Sequence, residues 1–541
     1  MIYGLGLRYL GSGDTVPAEL LPISLLTEGN LDFNEFVNGR LPYWFRVQGK
    51  HVVSYYPILP GLVNVPVYAV ANWIGGDLFE LRFRLSLITA MLAASLSVLF
   101  VYLTLARLLE SRSRALGFAL VYAFATEVWS VASHGLFQHG PALLFLSAGL
   151  YLVVRSRPGG IALSGLLLAL GVLTRPTNIG IALPLAIYVA LRHRARLPAF
   201  LGFAAIPLVL HGLYAWKYWG TPFSPAQPVA PGNFSGDPLQ GLAGLLVSPS
   251  RGLFVFSPIF LLAIPAAVAA FRRPADERRI LLRCLTVGVV LVLGIYSRWV
   301  LWWGGHSFGY RIILELALPL VVLIGSEWPR IRETRPRRVL FGAMLTLSVL
   351  VQFLGAFLYP SRFNRDIDQD PVRLWDARNS ELVLSVEKLL RRYGWNVALG
   401  SDQDFESSSP SNAPSPHWWK PENDDASMPR SLDAPAQEAV IRGRLTVFGW
   451  AKPAPTDAGE VWISVNPGNL QLKADRFARP DVVSLFPQLG DGSEAGFGAR
   501  LEPGSSRLER CTVLVEIRDR RGRVAKLGPV EFLWGPQRPG P

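Results

Sequence analysis

Residues Arg84 to Leu109 read RLSLITAMLAASLSVLFVYLTLARLL, and this apolar run decides the fold class. An α-helix rises about 1.5 Å per residue, so about 20 apolar residues cross the hydrocarbon core of a bilayer. In the whole chain, 50% of the residues are hydrophobic and only 17% are charged. The mean hydropathy is +0.29. We therefore expect a polytopic membrane protein.

Further apolar runs predict a mainly α fold, a transmembrane bundle of about ten to eleven helical spans over residues 1–360. Several runs are shorter than a straight span, which indicates tilted or broken helices. After Arg84 to Leu109, the predicted spans are Ala115 to Val131, Gly140 to Val154, Ile161 to Leu173, Ile179 to Leu191, Leu197 to Tyr214, Leu253 to Phe271, Ile280 to Tyr296, Ile312 to Ile324 and Val339 to Tyr359.

The formal charge of +13 arises largely from arginine clusters in alternate loops between the apolar runs. These clusters form no basic face, so we expect no nucleic-acid partner. They follow the positive-inside pattern, which predicts a multi-pass protein of the cytoplasmic (inner) membrane. The predicted extracytoplasmic parts are the first loop at residues 11–83, Trp129 to His139, Tyr214 to Arg251, Arg298 to Arg311 and the C-terminal tail.

The cysteines and the start of the chain limit the interpretation further. Cys284 and Cys511 are the only cysteines, so we expect neither a disulfide framework nor a cysteine metal site. Met1 to Leu10 is apolar but too short to cross a bilayer, and it lacks the basic start and the cleavage site of a signal peptide. We expect that a first span is missing from this sequence.

Asp14 and Glu19 are carboxylates at the edge of the first extracytoplasmic loop. We predict an amphipathic helix over Ala18 to Thr27, so Asp14 precedes this helix and Glu19 lies in its first turn. A carboxylate beside a bilayer is costly unless it is solvated or paired, which makes both residues candidates for chemistry. Alternatively, Asp14 is a solvated helix N-cap.

Four arginines lie at the ends of predicted spans on the same side: Arg175, Arg251, Arg298 and Arg311. Because a guanidinium matches phosphate oxygens, this side suits a lipid phosphate donor and a hydroxyl acceptor. Two alternatives remain open. Arg175 alternatively snorkels to the interface, and Arg311 alternatively forms an ion pair with Glu315, four residues later.

Histidines and aromatic residues accompany these charges. His134 and His139 are five residues apart, so on one helix they point in different directions. His134 is alternatively an interfacial hydrogen-bonding residue, and Trp129, Trp302 and Trp303 are alternatively aromatic residues of the membrane interface. The predicted substrate pocket consists of Lys50, Tyr55, Tyr56, His134, Gln138, His139, Trp303 and His306.

Six short motifs occur in a fixed order between Gly11 and Tyr359. The motifs are Gly-Asp-x-x-Pro-Ala with Leu-Pro-x-Ser-Leu-Leu and Gly-x-Leu-Asp-x-x-x-Phe, then Tyr-Pro and Pro-Gly, Gln-His-Gly-Pro, Thr-Arg-Pro-Thr-Asn, Gly-Leu-Leu-x-Ser-Pro-x-Arg-Gly-Leu-Phe-x-x-Ser-Pro and Trp-Trp-Gly-Gly-x-Ser-x-Gly-x-Arg. In the order of these motifs the chain resembles the polytopic GT-C glycosyltransferases, the superfamily of protein mannosyltransferases and lipid A aminoarabinose transferases, in a bacterial branch.

The resemblance implies inverting transfer of a sugar from a polyprenyl phosphate to an extracytoplasmic glycan, lipid or protein. Asp14 maps onto the general base, and Glu19 is a second catalytic candidate because Asp14-Thr15 replaces the family's Asp-Glu pair. The donor phosphate would be bound by Arg175, Arg251 or Arg311. No cofactor is expected to be required, and the use of a divalent metal ion stays open.

Two other classes of protein compete with this interpretation. A polysaccharide or lipid transporter or flippase would place charges or broken helices in repeat-related positions, but the sequence has no convincing internal repeat. The third class is a degenerate GT-C protein with a binding role, consistent with the missing first span.

The composition changes after Tyr359. Residues 361–435 are predicted to form a helix, over Asp366 to Tyr393, and a flexible linker over Ser401 to Ala434. Residues 436–541 alternate in hydrophobicity and predict an extracytoplasmic all-β sandwich. Its Gly-Trp-Ala, Arg-Pro-Asp-Val and Gly-Phe-Gly elements, which begin at Gly449, Arg479 and Gly496, resemble a β module of bacterial surface and sugar-related proteins. We expect this module to contact the acceptor glycan or a partner.

Overall fold

The computed structural model divides the chain into two compact units, Met1–Ser401 and Asp402–Pro541. The structure describes residues 3, 9–36, 44–222, 231–359, 363–364, 367, 371–392, 430–434, 439–442, 445–451, 460–466, 470–477, 496–501, 509–518 and 524–535. Most of the predicted flexible linker and the Arg479 element lie outside these residues.

The first unit is mainly helical. Its α-helices are α1 (Val16–Thr27), α2 (Leu59–Trp73), α3 (Leu78–Leu109), α4 (Arg112–Phe124), α5 (His139–Arg155), α6 (Pro158–Thr174), α7 (Ile179–Arg192), α8 (Leu197–Trp219), α9 (Pro238–Val247), α10 (Leu253–Phe256), α11 (Ala263–Arg272), α12 (Glu277–Ser297), α13 (Ala317–Ser326), α14 (Trp328–Ile331), α15 (Arg335–Leu358) and α16 (Glu381–Arg392). Short 3₁₀ segments include Pro176–Asn178, Pro258–Leu262, Arg311–Leu316 and Pro371–Trp375, and Val128–Ala132 forms a π-helical turn.

Four helical segments in the described part of the chain are long and apolar enough to cross a membrane: Leu78–Leu109, Arg194–Trp219, Glu277–Ser297 and Arg335–Leu358. The prediction of about ten to eleven spans is not confirmed. Most of the other predicted spans are shorter apolar helices or are interrupted. Between Leu253 and Arg272 the helix breaks at Ser257, because the following Pro258 disfavours the helical conformation there.

α8 presents an apolar surface that no described part of the protein covers. Only 17% of its most apolar window is buried. Apolar side chains exposed in this way normally face lipid. The exposed residues on this helix include Leu201, Phe203, Ile206, Leu208, Val209, Leu210, Leu213 and Trp216.

α1 is buried on most of its surface, so the prediction of an amphipathic helix is wrong. Its buried residues run without a break from Pro17 to Ser24, because α1 packs against both α2 and α3. Asn64 on α2 donates to the carbonyl of Ala18 at 3.0 Å and to the hydroxyl of Ser86 on α3 at 2.9 Å. This packing fixes the beginning of α1, where Asp14 lies.

A two-stranded hairpin, β1 (Phe45–Gln48) and β2 (His51–Ser54), packs beside these helices. Its two-residue turn is Gly49-Lys50, and Gly49 adopts a φ of +59°, which favours glycine. The amide of Gln48 donates to the carbonyl of Trp219 at 3.0 Å, so the hairpin also contacts the end of α8.

α16 belongs to the first unit, whereas the sequence placed it with the linker. Its first residue, Glu381, is fully buried and lies 2.7 Å from the guanidinium of Arg251. Nearby, the hydroxyl of Ser248 donates to the carbonyl of Leu374 at 2.7 Å. The residues after α15 therefore complete the helical unit.

The second unit contains two sheets, which agrees with the prediction of a β-rich C-terminal region. Alternate residues of β6 (Glu460–Asn466) and β10 (Glu509–Arg518) are buried, so one face of their sheet is covered. The alternating sequence from Ala439 to Ala451 forms two strands, which belong to different sheets. The five-stranded sheet has the order β4 (Ala439–Arg442), β11 (Val524–Gly535), β10 (Glu509–Arg518), β6 (Glu460–Asn466), β7 (Leu470–Lys473), and the four-stranded sheet has the order β3 (Arg430–Ala434), β5 (Leu445–Ala451), β9 (Gly496–Leu501), β8 (Asp475–Phe477). The sandwich arrangement stays a prediction.

A close approach of α6 and α8 gives the first testable prediction. A Cβ added at Gly165 would overlap the backbone carbonyl of Phe200, and backbone cannot rotate out of the way. We expect Gly165→Ala to destabilise the first unit by about 1–3 kcal/mol, measured as a loss of thermal stability in detergent. Gly202→Ala on α8, where a Cβ would meet nothing within 4 Å, is the control and should be neutral or stabilising. Equal effects would contradict the packing.

Candidate active site

Asp14 lies in a tight turn directly before α1. The backbone N–H of Thr15 donates to the carbonyl of Ser12 at 3.0 Å, and the hydroxyl of Ser12 donates to the Asp14 carboxylate. The N-cap position of α1 belongs to Thr15, which makes no side-chain cap hydrogen bond. The alternative of Asp14 as an N-cap is therefore wrong, and its carboxylate is available for other contacts.

The partner of Asp14 is Arg311, at a separation of 297 residues in the sequence. Arg311 Nη1 donates to Asp14 Oδ2 at 2.8 Å, and the two side chains are 8% and 13% exposed. Arg311 Nη2 donates to the carbonyl of Gly304 at 2.8 Å, and the guanidinium lies 4.6 Å from the ring centre of Phe137. The pair is thus partly open to solvent and held from several sides.

The electrostatics of this pair keep Asp14 ionised at neutral pH. Burial by itself raises the pKa of Asp14, but the charge of Arg311 and the hydrogen bond from Ser12 outweigh it. The net result is a pKa below the usual value for aspartate. An ionised carboxylate can accept a proton, as a general base must.

Glu19, the second predicted catalytic residue, stabilises the turn that contains Asp14. It is buried and accepts hydrogen bonds from the hydroxyls of Tyr9 and of Thr15, the latter at 2.8 Å. Burial raises the pKa of Glu19 above its ordinary value, although both hydrogen bonds oppose the rise. Through Thr15, Glu19 fixes the turn that presents Asp14.

Arg175 is buried in a second charged cluster next to the first. Its Nη1 donates to Glu315 Oε2 at 2.7 Å and to the carbonyl of Ile312 at 3.1 Å, and its Nη2 donates to the hydroxyl of Tyr296. His139 Nδ1 lies 2.9 Å from Arg175 Nη1 and 3.1 Å from Glu315 Oε1. Arg175 therefore does not snorkel.

The cluster also overturns the predicted alternative of an Arg311–Glu315 ion pair. Glu315 binds Arg175, whereas Arg311 binds Asp14. The reason is local: residues Arg311–Leu316 form a 3₁₀ segment with a non-helical residue, Ile313, inside it. Side chains four residues apart do not align on a helix with three residues per turn.

The contacts of Arg251 argue against the phosphate-binding role that the sequence predicted. Arg251 is 1% exposed, and its guanidinium has five N–H groups. These face five acceptors: the carbonyls of Trp303, Ser250 and Gly305 at 3.1, 2.7 and 3.4 Å, Asn364 Oδ1 at 2.6 Å and Glu381 Oε1 at 2.7 Å. Because Arg251 is buried and its guanidinium already contacts these internal acceptors, its position does not favour binding of a donor phosphate.

Four of the predicted pocket residues are buried in the protein, and one of them is His139 of the charged cluster. His134 Nδ1 donates to the carbonyl of Trp129 at 2.7 Å and lies 3.1 Å from the hydroxyl of Ser133. Gln138 is buried at the residue before α5. Trp303 packs in a buried apolar cluster with Trp302, so neither residue is an aromatic side chain of the membrane interface. Trp129 is also buried, and its ring contacts phenylalanines instead of the interface. The phenylalanines around Trp129 are Phe124, Phe353 and Phe357.

The remaining pocket residues are more exposed. Lys50 is exposed at the hairpin turn, and His306 is exposed in the loop before Arg311. Tyr55 and Tyr56 are half-buried, with ring centres 6.0 Å apart, and Arg46 lies 4.4 Å above the ring of Tyr55.

Sequence reasoning missed two buried glutamates of this region, Glu127 and Glu381, and it considered Glu315 only as a partner of Arg311. Glu315 carried a visible signal, since a single carboxylate within an apolar run requires a partner. Glu127 carried a similar signal within the predicted span Ala115 to Val131. Glu381 carried none, because an acidic residue at the start of an amphipathic helix is ordinary.

The structure thus joins four predicted residues, Asp14, His139, Arg175 and Arg311, with Glu315. Within the described ranges, no group of three or more His, Cys, Asp or Glu side chains is arranged to hold a metal ion. Whether a metal is used stays open. No protein-family model matches the chain, and no curated protein matches it either.

The buried ion pair gives a stability prediction. Glu315→Gln leaves Arg175 charged, buried and without its carboxylate, which we expect to destabilise the first unit by about 3–5 kcal/mol. Thermal unfolding in detergent measures the effect. The control is Glu333→Gln, which removes an exposed pair with Arg337 and should change almost nothing. An equally small effect of Glu315→Gln would refute the buried pair.

Proposed function

We propose that the chain is an integral-membrane glycosyltransferase that moves a hexosyl or pentosyl group from a polyprenyl phosphate to an extracytoplasmic acceptor. The acceptor is a hydroxyl of a glycan, a lipid or a protein. The observation that carries the proposal is the contact between Asp14 and Arg311, a carboxylate and a guanidinium at 2.8 Å. The order of motifs that resembles the GT-C enzymes supports the same assignment.

In the proposed reaction, Asp14 accepts the proton of the acceptor hydroxyl. The hydroxyl oxygen attacks the anomeric carbon as the bond from that carbon to the phosphate oxygen breaks. The phosphate leaves with the bonding electrons as polyprenyl phosphate, and the new glycosidic bond has the inverted configuration. Attack and departure occur on opposite faces of the sugar, through an oxocarbenium-like transition state.

Arg311 is the proposed ligand of the donor phosphate. Its Nε has no hydrogen-bond partner among the described residues, so its guanidinium is incompletely satisfied. A phosphate competes with Asp14 for this guanidinium, because both are anionic acceptors of the same fork. Loss of the contact with Arg311 raises the basicity of Asp14, so donor binding prepares the base.

Arg175 has a supporting role in this proposal. Its guanidinium is bound by Glu315, Tyr296 and the carbonyl of Ile312, the residue after Arg311. It contributes positive charge near the phosphate and fixes the backbone beside Arg311. Because burial weakens dielectric screening, a charge held here acts strongly on a developing anion.

Sugar transfer is the direct test. We expect the wild-type chain, in proteoliposomes with a panel of polyprenyl-phosphate sugars, to release labelled product with one of them. Asp14→Asn keeps the size of the side chain but not its basicity, and should lower turnover by about 10²–10⁴-fold while donor binding persists. Glu28→Gln, at an exposed carboxylate after α1, is the matched control and should retain activity.

The outcomes separate the competing classes. Equal turnover by Asp14→Asn and the wild type would remove Asp14 from the mechanism. If no donor supports transfer, the same vesicles show whether the chain instead moves the intact lipid-linked sugar between leaflets, as a flippase would.

The Asp14–Arg311 pair also predicts a pH dependence. Asp14 works only when ionised, so activity falls as the pH drops through its pKa. Removing the positive charge in Arg311→Gln raises this pKa, and we expect the acid limb of kcat/KM to move up by about one to three pH units. Arg298→Gln, at an exposed arginine before the same loop, should leave the limb in place. An unmoved limb in Arg311→Gln would contradict the pairing.

A further inference from the structure

The loop from Trp303 to Arg311 is held by buried charged residues that the proposed reaction does not use. Gly304 and Gly305 adopt φ values of +74° and +72°, and Gly309 adopts +57°. These values favour glycine and produce sharp changes of chain direction. Such a backbone keeps one conformation only if surrounding contacts fix it.

Two arginines bind three successive carbonyl groups of this loop. Arg251 donates to the carbonyls of Trp303 and Gly305, and Arg311 donates to the carbonyl of Gly304 between them. The position of the Gly304 carbonyl therefore depends on Arg251. That carbonyl in turn orients the guanidinium that binds Asp14.

Two carboxylates bind the backbone immediately before Arg311. Glu381 Oε2 accepts the N–H of Gly309 at 3.0 Å, and Glu127 Oε1 accepts the N–H of Tyr310 at 2.6 Å. Both glutamates are fully buried. The end of the loop is thus fixed by two buried carboxyl groups that accept successive backbone N–H groups.

Glu381 connects both sets of contacts. Its Oε1 lies 2.7 Å from Arg251 Nη1, while its Oε2 binds Gly309. A buried ion pair contributes little net stability, because removing both charges from water is costly. Its geometry, however, joins the first and last parts of the loop through one carboxylate.

We propose that Glu381, acting with Arg251, is a positioning residue that holds Arg311 in contact with Asp14. Helix α16, which follows the last long apolar helix, is then a component of the active site. The expected effect of Glu381 on turnover rests on the proposed function. The expected effect of Glu381 on the conformation of the loop is independent of that function.

The kinetic test uses Glu381→Asp, which keeps the charge but withdraws the carboxylate by one methylene, and Glu381→Gln. We expect both to move the acid limb of kcat/KM upward, in the direction of Arg311→Gln, by about one pH unit. Glu387→Gln on the same helix, where the carboxylate pairs with Arg391 at 2.6 Å, is the control and should not move it. A uniform loss of rate at every pH, with no shift, would reduce Glu381 to a structural residue and overturn the proposal.

Hydrogen exchange of the backbone amides of residues 304–311 tests the same contacts without activity. We expect at least tenfold faster exchange in Glu381→Asp than in the wild type and Glu387→Gln. Faster exchange in a protein without transferase activity would support the role of Glu381 in holding the loop and reject the proposed function. Asp14-dependent transfer with unchanged exchange and an unmoved acid limb in the Glu381 variants would reject only the positioning role. Glu381→Asp keeps the buried charge compensated, so it serves if Glu381→Gln fails to fold.

Discussion

The contact between Asp14 and Arg311 joins two loops that the helices of the first unit hold in place. Neither residue is rigid by itself, since each lies outside a regular helix. Asp14 depends on the packing of α1 against α2 and α3, and on Glu19 through Thr15. Arg311 depends on the glycine loop and on the backbone N–H groups held by Glu127 and Glu381. The 2.8 Å contact between Asp14 and Arg311 therefore forms only when the helices that hold both loops are packed together.

Charge burial is the main physical cost of this arrangement. Arg251, Arg175, Glu127, Glu315 and Glu381 are all buried in a unit whose surface is largely apolar. A protein selected only for stability would fill these positions with apolar side chains. Arg251, Glu127 and Glu381 bind backbone carbonyl or N–H groups of irregular segments, which make no helical hydrogen bonds there. In this unit, buried charges replace the hydrogen bonds that a regular helix would have provided.

The sequence predicted the apolar helices, the C-terminal sheet region and four residues that meet near Asp14. These follow from patterns with a local cause, namely the length of apolar runs and the alternation of charge between loops. It did not predict the partners. Arg251 looked like a phosphate ligand because its true partner, Glu381, lies 130 residues later in an ordinary amphipathic helix. Glu315 was assigned to Arg311 because a regular helix was assumed where the backbone is a 3₁₀ segment.

The place of α16 has a consequence for how the protein is made. The chain leaves the ribosome from its N-terminus, and elements fold as they emerge. The turn with Asp14 and most of the apolar helices can form before Arg311 is synthesised. The loop that carries Arg311 cannot reach its final conformation until Glu381 has also emerged and packed against Arg251. The candidate site is therefore completed only after the last long apolar helix, α15, has been synthesised, so an unfinished chain in the membrane lacks it.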